Sequence, residues 1–276
     1  MDIIDQIVAH KKKETAGRKE LYPVKLLEQS IYFETPAVSI KKYVARKDKS
    51  GIIAEIKRKS PSQGWINRHV SVERTSIGYM QAGASALSVL TDSHFFGGSN
   101  EDLSVARKYN FCPILRKDFI VDEYQVIEAK AIGADSILLI AAILEPAKLR
   151  ALCAFAHSLQ LEVLLEVHSE MELLTNMDAQ PDLIGVNNRN LRTFDVDVNL
   201  SRQLASKMPP SVVCISESGI NSPALIVELR TYGYSGFLLG QAFMQTGHPD
   251  KAAKEFIREL QRLESKNNYT SDAAGN

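Results

Sequence analysis

Eight short apolar runs recur between residues 52 and 239, and this repetition constrains the fold more than any other feature of the 276-residue chain. They are Ile52-Ile53-Ala54, Ala86-Leu87-Ser88-Val89-Leu90, Pro113-Ile114-Leu115, Ile137-Leu138-Leu139-Ile140, Val163-Leu164-Leu165, Leu183-Ile184-Gly185-Val186, Val212-Val213-Cys214-Ile215 and Phe237-Leu238-Leu239. Each is apolar on both faces of an extended chain, as a parallel strand covered on both sides must be. Their starts lie roughly 20 to 35 residues apart, room for a strand of about 5 residues, a helix of about 11 and two loops.

The intervening segments carry helix punctuation. Ser169-Glu170-Met171-Glu172 offers a capping box. Asn221-Ser222-Pro223 offers an N-cap followed by proline at the first helical position, and Glu145-Pro146 is a weaker start. Gly83, Gly133 and Gly233 each stand just before an apolar run, where glycine supplies the left-handed turn that ends a helix. Strand–helix alternation throughout implies an α/β protein with a parallel sheet. Eight units favour a closed barrel over a doubly wound open sheet, and no Gly-x-Gly-x-x-Gly fingerprint follows the first run. The expected fold is α/β, a single (β/α)8 TIM barrel with an N-terminal helical extension. Residues 1–50 form that extension, with Ile3, Ile4, Ile7 and Val8 at helical spacing and a second apolar cluster at Val24, Leu26 and Leu27. Residues 51–264 form the barrel, and the polar tail 265–276 is expected to be disordered.

Lys plus Arg and Asp plus Glu both number 33, so no basic excess is available for a nucleic-acid backbone. A small anionic substrate needs only a local cluster and stays open. The cysteines, Cys112, Cys153 and Cys214, form neither a disulfide framework nor a zinc spacing, which suits a reducing, cytoplasmic setting. The N-terminus lacks the apolar core of a secretory signal, and no stretch is apolar enough to span a membrane. The six histidines, His10, His69, His94, His157, His168 and His248, lack metal-ligand spacing and read as surface or loop residues.

Polar groups follow the runs in a pattern. Glu55-Ile56-Lys57-Arg58-Lys59-Ser60 follows the first, Arg116-Lys117-Asp118 the third, and Glu166 the fifth. Asn187-Asn188-Arg189 follows the sixth and Glu217-Ser218-Gly219 the seventh. In a barrel these are the C-terminal strand mouths, where such enzymes place their chemistry. Glu55 and Lys57, two apart, point the same way. Opposed lysines and carboxylates shift each other's pKa and so supply both an acid and a base. Ser218-Gly219 and Gly240-Gln241, after the seventh and eighth runs, sit where barrels bind phosphate through backbone N–H groups. The same glycines would also serve simple tight turns. Lys59 could add a countercharge. Trp65, Phe95 and Phe96 could stack on an aromatic substrate or pack loop onto barrel.

Ala54-Glu55-Ile56-Lys57-Arg58-Lys59-Ser60-Pro61-Ser62 resembles the signature of the indole-3-glycerol-phosphate synthases. The resemblance continues through Ser88-Val89-Leu90-Thr91-Asp92, Phe96-Gly97-Gly98-Ser99 and Leu115-Arg116-Lys117-Asp118-Phe119-Ile120. It then runs through Leu165-Glu166-Val167-His168, Gly185-Val186-Asn187-Asn188-Arg189-Asn190-Leu191 and Ser216-Glu217-Ser218-Gly219-Ile220, reaching from the N-terminal extension to about Met244. It implies ring closure of 1-(2-carboxyphenylamino)-1-deoxyribulose 5-phosphate with loss of carbon dioxide and water, without cofactor or metal. Lys117 then resembles the general acid at the ketone oxygen. Glu166 resembles the carboxylate that steadies positive charge or acts as base in dehydration. Lys57 resembles the lysine that meets the substrate carboxylate and can later protonate the departing hydroxyl. Glu55, Asn187 and Glu217 resemble positioning groups. Ser218, Gly219, Gly240 and Gln241 fall where the family holds phosphate, with Ser60, Lys59, Phe96 and Arg189 as further substrate contacts. Gln241 and Gly97 depart from the family pattern, which puts a side-chain contact to phosphate and a loop contact to substrate in question. Other enzymes of tryptophan biosynthesis are candidate partners.

Other classes remain. A Schiff-base aldolase would use Lys57 or Lys117 as nucleophile and form a borohydride-trappable adduct. An isomerase of the same pathway would act on phosphoribosyl anthranilate. A non-catalytic phosphate binder would lack charge at some strand ends. The mouth forms within one chain, so a monomer suffices.

Overall fold

The computed structural model describes the backbone of residues 2–273 and the side chains of residues 2–266. Its eight barrel strands are β1 (Ile52–Ile56), β2 (Ala86–Leu90), β3 (Ile114–Lys117), β4 (Ser136–Ile140), β5 (Glu162–Val167), β6 (Leu183–Asn187), β7 (Val213–Glu217) and β8 (Gly236–Leu239). Each pairs in parallel with its neighbour in chain order, and β8 closes on β1 through Ile53 opposite Leu238. Every expected apolar run became one of these strands. The punctuation holds too. Gly83, Gly133 and Gly233 have φ of 98°, 93° and 93°, and Ser222 and Ser169 accept hydrogen bonds from the backbone N–H of Leu225 and Glu172 as N-caps.

Strand alternation decides what faces the barrel axis. Ile52, Ala54 and Ile56 pack outward against the helices, whereas Ile53 joins an inner cluster with Leu115, Leu164, Ile215 and Leu238. Two residues further along four of these strands stand Glu55, Lys117, Glu166 and Glu217, and Gly240 follows the end of the fifth. The inner apolar layer is therefore roofed by an ionisable one. Arg116 has the opposite parity and points outward, where it pairs with Glu128 at 2.6 Å.

The N-terminal extension clasps the barrel at both ends. The helix Ile3–Leu21 lies over the mouth, with Ile7 in the inner cluster. Its Lys11, only 2% exposed, reaches Glu14 at 2.6 Å, Asp92 at 2.8 Å and Asp118 at 3.0 Å. The chain then passes down the side, where Ser30 Oγ donates to the Ala131 carbonyl. A helix at Ile40–Ala45 plugs the other end, placing Ile40 and Val44 in the inner cluster. There the Lys41 N–H donates to Glu162, the first residue of β5. The second apolar cluster is less engaged than expected. Val24–Leu27 is one helical turn with no buried residue, and Leu26 is half exposed.

The side chains of the polar tail, expected to be disordered from residue 265, lie outside the described residues from 267 onward. The last helix runs from Pro249 to Ala273. It is anchored by buried Ala253, Ile257 and Leu260 and by the pairing of Glu264 with Arg230 at 3.1 Å. Residues 274–276 lie outside the described residues. Among the described residues no helix is long and apolar enough to cross a membrane.

Lys11 is the test of the clasp. Its three carboxylate partners outweigh burial and hold its pKa well above the usual lysine value. Removing one partner of a buried ion pair typically costs about 3–5 kcal/mol. Lys11→Met should lower the unfolding free energy by about that amount in denaturant titration. An unchanged midpoint would show that the helix is not held this way.

Candidate active site

Lys117, Glu166 and Glu217 come from three different strands and meet at the barrel mouth. Lys117 Nζ lies 2.6 Å from Glu166 Oε2 and 3.0 Å from Glu217 Oε2. Both carboxylate side chains are 2% exposed. Burial alone would strip the Lys117 proton, but Glu166, Glu217 and Glu55 outweigh it and keep the ammonium charged. Burial likewise favours a neutral Glu166, yet Lys117 and His168 hold its pKa far below the usual carboxylate value. Glu217 goes the other way. Burial, with the charges of Glu166 and Glu55, pushes it up to about 7 against the pull of Lys117. Its Oε1 is buried without a hydrogen-bond partner among the described residues. One ammonium thus holds one firmly ionised carboxylate and one poised near neutrality.

A second pair stands beside this trio. Lys57 Nζ lies 2.8 Å from Glu55 Oε1, and both side chains line the same cavity as Lys117, Glu166 and Glu217. Asn187 Nδ2 donates to Glu166 Oε1 at 3.1 Å, and its Oδ1 accepts the Arg189 N–H at 3.0 Å. Two glycines make room for the carboxylates. A Cβ on Gly185 would overlap Glu217 Oε1, and one on Gly240 would lie 2.6 Å from Glu55 Oε1. Both stand where the inward carboxylates need space.

The cavity encloses about 170 Å³. Of the expected substrate contacts, Ser60, Phe96, Arg189, Ser218, Gly219, Gly240 and Gln241 all line it. Ser218 and Gly219 take consecutive left-handed conformations, with φ of 65° and 76°. Gln241 Oε1 accepts from Arg189 Nη2 at 3.4 Å, so its amide braces the arginine. Lys59 is not brought to the cavity. Its ammonium donates to the His94 carbonyl and lies over the Trp65 ring. Trp65 is half exposed and Phe95 packs on His10 and His94, so only Phe96 of the three aromatics reaches the lining. Gly97 has a positive φ and lies so close to the Trp65 ring that a Cβ would meet it at 3.0 Å, while its carbonyl accepts from Arg58.

Three features escaped the sequence reading. Ile3, Ile4 and Ile7 of the N-terminal helix form part of the cavity wall. Asp92, held by Lys11, accepts from the backbone N–H groups of Phe95 and Phe96 and so shapes the loop that carries Phe96. His168, expected at the surface, is only 11% exposed in its side chain and sits 3.2 Å from Glu166. A signal for it existed: residues 166 and 168 share a strand face, as do Glu55 and Lys57.

Comparison with known proteins identifies the family. A family model described as indole-3-glycerol phosphate synthase matches residues 4–256. The chain is 46% identical over 260 residues to the indole-3-glycerol phosphate synthase of Bacteroides thetaiotaomicron, covering 94% of this chain and 99% of that protein. It is 42% identical to indole-3-glycerol phosphate synthase 2 of Ralstonia nicotianae, covering 94% and 97%. The solved thiamine phosphate pyrophosphorylase of Pyrococcus furiosus shares the fold with a TM-score of 0.56 at 15% identity, over 76% of this chain and 95% of that one. A match that spans the mouth residues of every charged strand leaves one conclusion, that the chain belongs to the indole-3-glycerol phosphate synthase family.

Proposed function

We propose that Lys117, Glu166 and Lys57 carry the proton transfers of this family's reaction, with Glu55, Asn187 and Glu217 holding them in place. The reaction closes an indole ring on 1-(2-carboxyphenylamino)-1-deoxyribulose 5-phosphate, releases carbon dioxide and water, and belongs to tryptophan biosynthesis. The observation that carries the assignment is the Lys117 ammonium held between two buried carboxylates on the floor of a cavity that also contains Glu55 and Lys57.

The chemistry asks for this set. Attack of the aromatic carbon on the ketone builds charge on the ketone oxygen, and an ammonium there donates a proton as the bond forms. The substrate carboxylate leaves as neutral carbon dioxide, so each turnover takes up one proton. Dehydration needs a proton for the departing hydroxyl and an acceptor for the proton that leaves with it. Lys117 suits the first donation, Lys57 the second, and ionised Glu166 the acceptance. Glu166, bonded to Lys117 at 2.6 Å, can return its proton to that lysine between turnovers. An apolar layer beneath and Ile3, Ile4 and Ile7 above restrict water, which strengthens each charge interaction.

Ser218, Gly219, Gly240 and Gln241 line the cavity and supply backbone for the phosphate, and the Arg189 guanidinium, which touches Gln241, lines it too. Phe96, together with the isoleucines, supplies apolar surface for the aromatic end. A Schiff base at Lys117 is disfavoured because the carboxylates around it keep it protonated and therefore not nucleophilic.

The direct assay is the appearance of indole fluorescence from the carboxyphenylamino-deoxyribulose phosphate. Lys117→Ala and Glu166→Gln should each lower kcat by about 10²–10⁴ with an unchanged circular dichroism spectrum. Turnover near wild type in either would overturn the assignment.

Glu217 supplies a pH signature. Its pKa lies at about 7, above the ordinary carboxylate value. Below that value it takes up a proton and its grip on Lys117 weakens. We expect kcat/KM to fall as pH falls through about 7, and Glu217→Gln to remove that inflection. A wild-type profile without an inflection in that range would contradict the role given to Glu217.

A further inference from the structure

We infer that His168 is a positioning residue for Glu166, fixing that carboxylate from the side opposite Lys117. The inference rests on the assignment of Glu166 as the proton acceptor.

The geometry is a relay of orientation. His168 follows β5 directly, and its Nε2 lies 3.2 Å from Glu166 Oε1. The contact acts through charge, since Nε2 makes no aligned hydrogen bond among the described residues. The same Glu166 oxygen accepts from Asn187, while the other oxygen faces Lys117. Glu166 is therefore held at both oxygens by groups from three strand ends. A carboxylate gripped on both oxygens cannot rotate freely, and a misplacement of about 1 Å can cost about 10²-fold in rate.

His168 is itself held from behind. Its Nδ1 lies 3.4 Å from Glu172 Oε2, and its backbone N–H donates to that same oxygen at 2.7 Å. Glu172 is fixed in turn because its N–H donates to the Ser169 N-cap. The expected capping box is thus only half made: the Glu172 side chain reaches back to His168 and not to Ser169. That one-residue extension turns a helix cap into a support for the imidazole. Burial opposes the imidazolium, but Glu166 and Glu172 together raise its pKa to about 9, so it carries charge at neutral pH. His168 is not among the residues lining the cavity, so it acts through Glu166 and not on substrate.

The test is a double-mutant cycle on the full chain. His168→Gln, Glu166→Gln and the double variant are assayed by indole fluorescence, with enzyme in excess of substrate so that slow variants remain measurable. His168→Gln should lower the rate constant by roughly 10- to 10²-fold with KM changed less than about twofold. In the Glu166→Gln background the same change should cost less than about twofold, because the group it serves is gone. Glu172→Gln, which keeps the imidazole but removes the charge behind it, should give a smaller loss of the same kind, about 3-fold or more. A wild-type rate for His168→Gln would overturn the inference, as would an equal loss in both backgrounds, which marks a merely structural role. Should His168→Gln fold poorly, Glu172→Gln decides through the same two backgrounds. Full activity in Glu166→Gln alone would instead overturn the Glu166 assignment, a result readable without any His168 variant.

Discussion

A lysine ammonium almost removed from water must be matched by carboxylates, and much of this molecule is arranged around that requirement at Lys117. Desolvation would otherwise drive off its proton. Glu166 and Glu217 supply the match from two strands that do not adjoin that of Lys117, and each carries a different share of the burden. Glu166 stays ionised because Lys117, Asn187 and His168 all address it. Glu217 has one strong partner and a buried oxygen without one, so it sits near neutrality. Two chemically identical side chains thus acquire different proton affinities from their surroundings alone.

The space for these groups is set by small residues as much as by large ones. Gly185 and Gly240 occupy inward positions where any Cβ would strike Glu217 or Glu55. The apolar layer below keeps water from the floor, and the N-terminal helix limits it from above. That helix is joined to the mouth by Lys11, which grips Asp118 next to Lys117 and Asp92 beneath the Phe96 loop. The extension is therefore part of the site's architecture, reaching from the mouth to a plug at the far end of the barrel.

The legible part of this design was the part governed by local rules. Alternation along a strand places Glu55 and Lys57 together and separates Lys117 from Arg116, and both outcomes can be read from spacing. Helix ends at Gly83, Gly133 and Gly233 follow from the left-handed conformation that glycine tolerates. The errors have equally definite causes. Lys59 looked like a countercharge because it sits near the mouth in sequence, but a two-residue ribbon, Lys59–Ser60 paired with Gly64–Trp65, turns it toward His94. His168 looked like a loop residue because its partners, Glu166 and Glu172, form no known ligand spacing.

By itself the sequence determined the number of strands, their order, which residues face the axis and which family the mouth residues resemble, because periodicity and motif are one-dimensional. Only the tertiary structure decided which charges meet. The pairing of Lys117 with Glu166 and Glu217 and the reach of Lys11 across the mouth join residues that barrel closure or helix docking brings within about 3 Å. Proton affinity depends on such distances and on burial, and neither quantity exists until the chain has closed on itself.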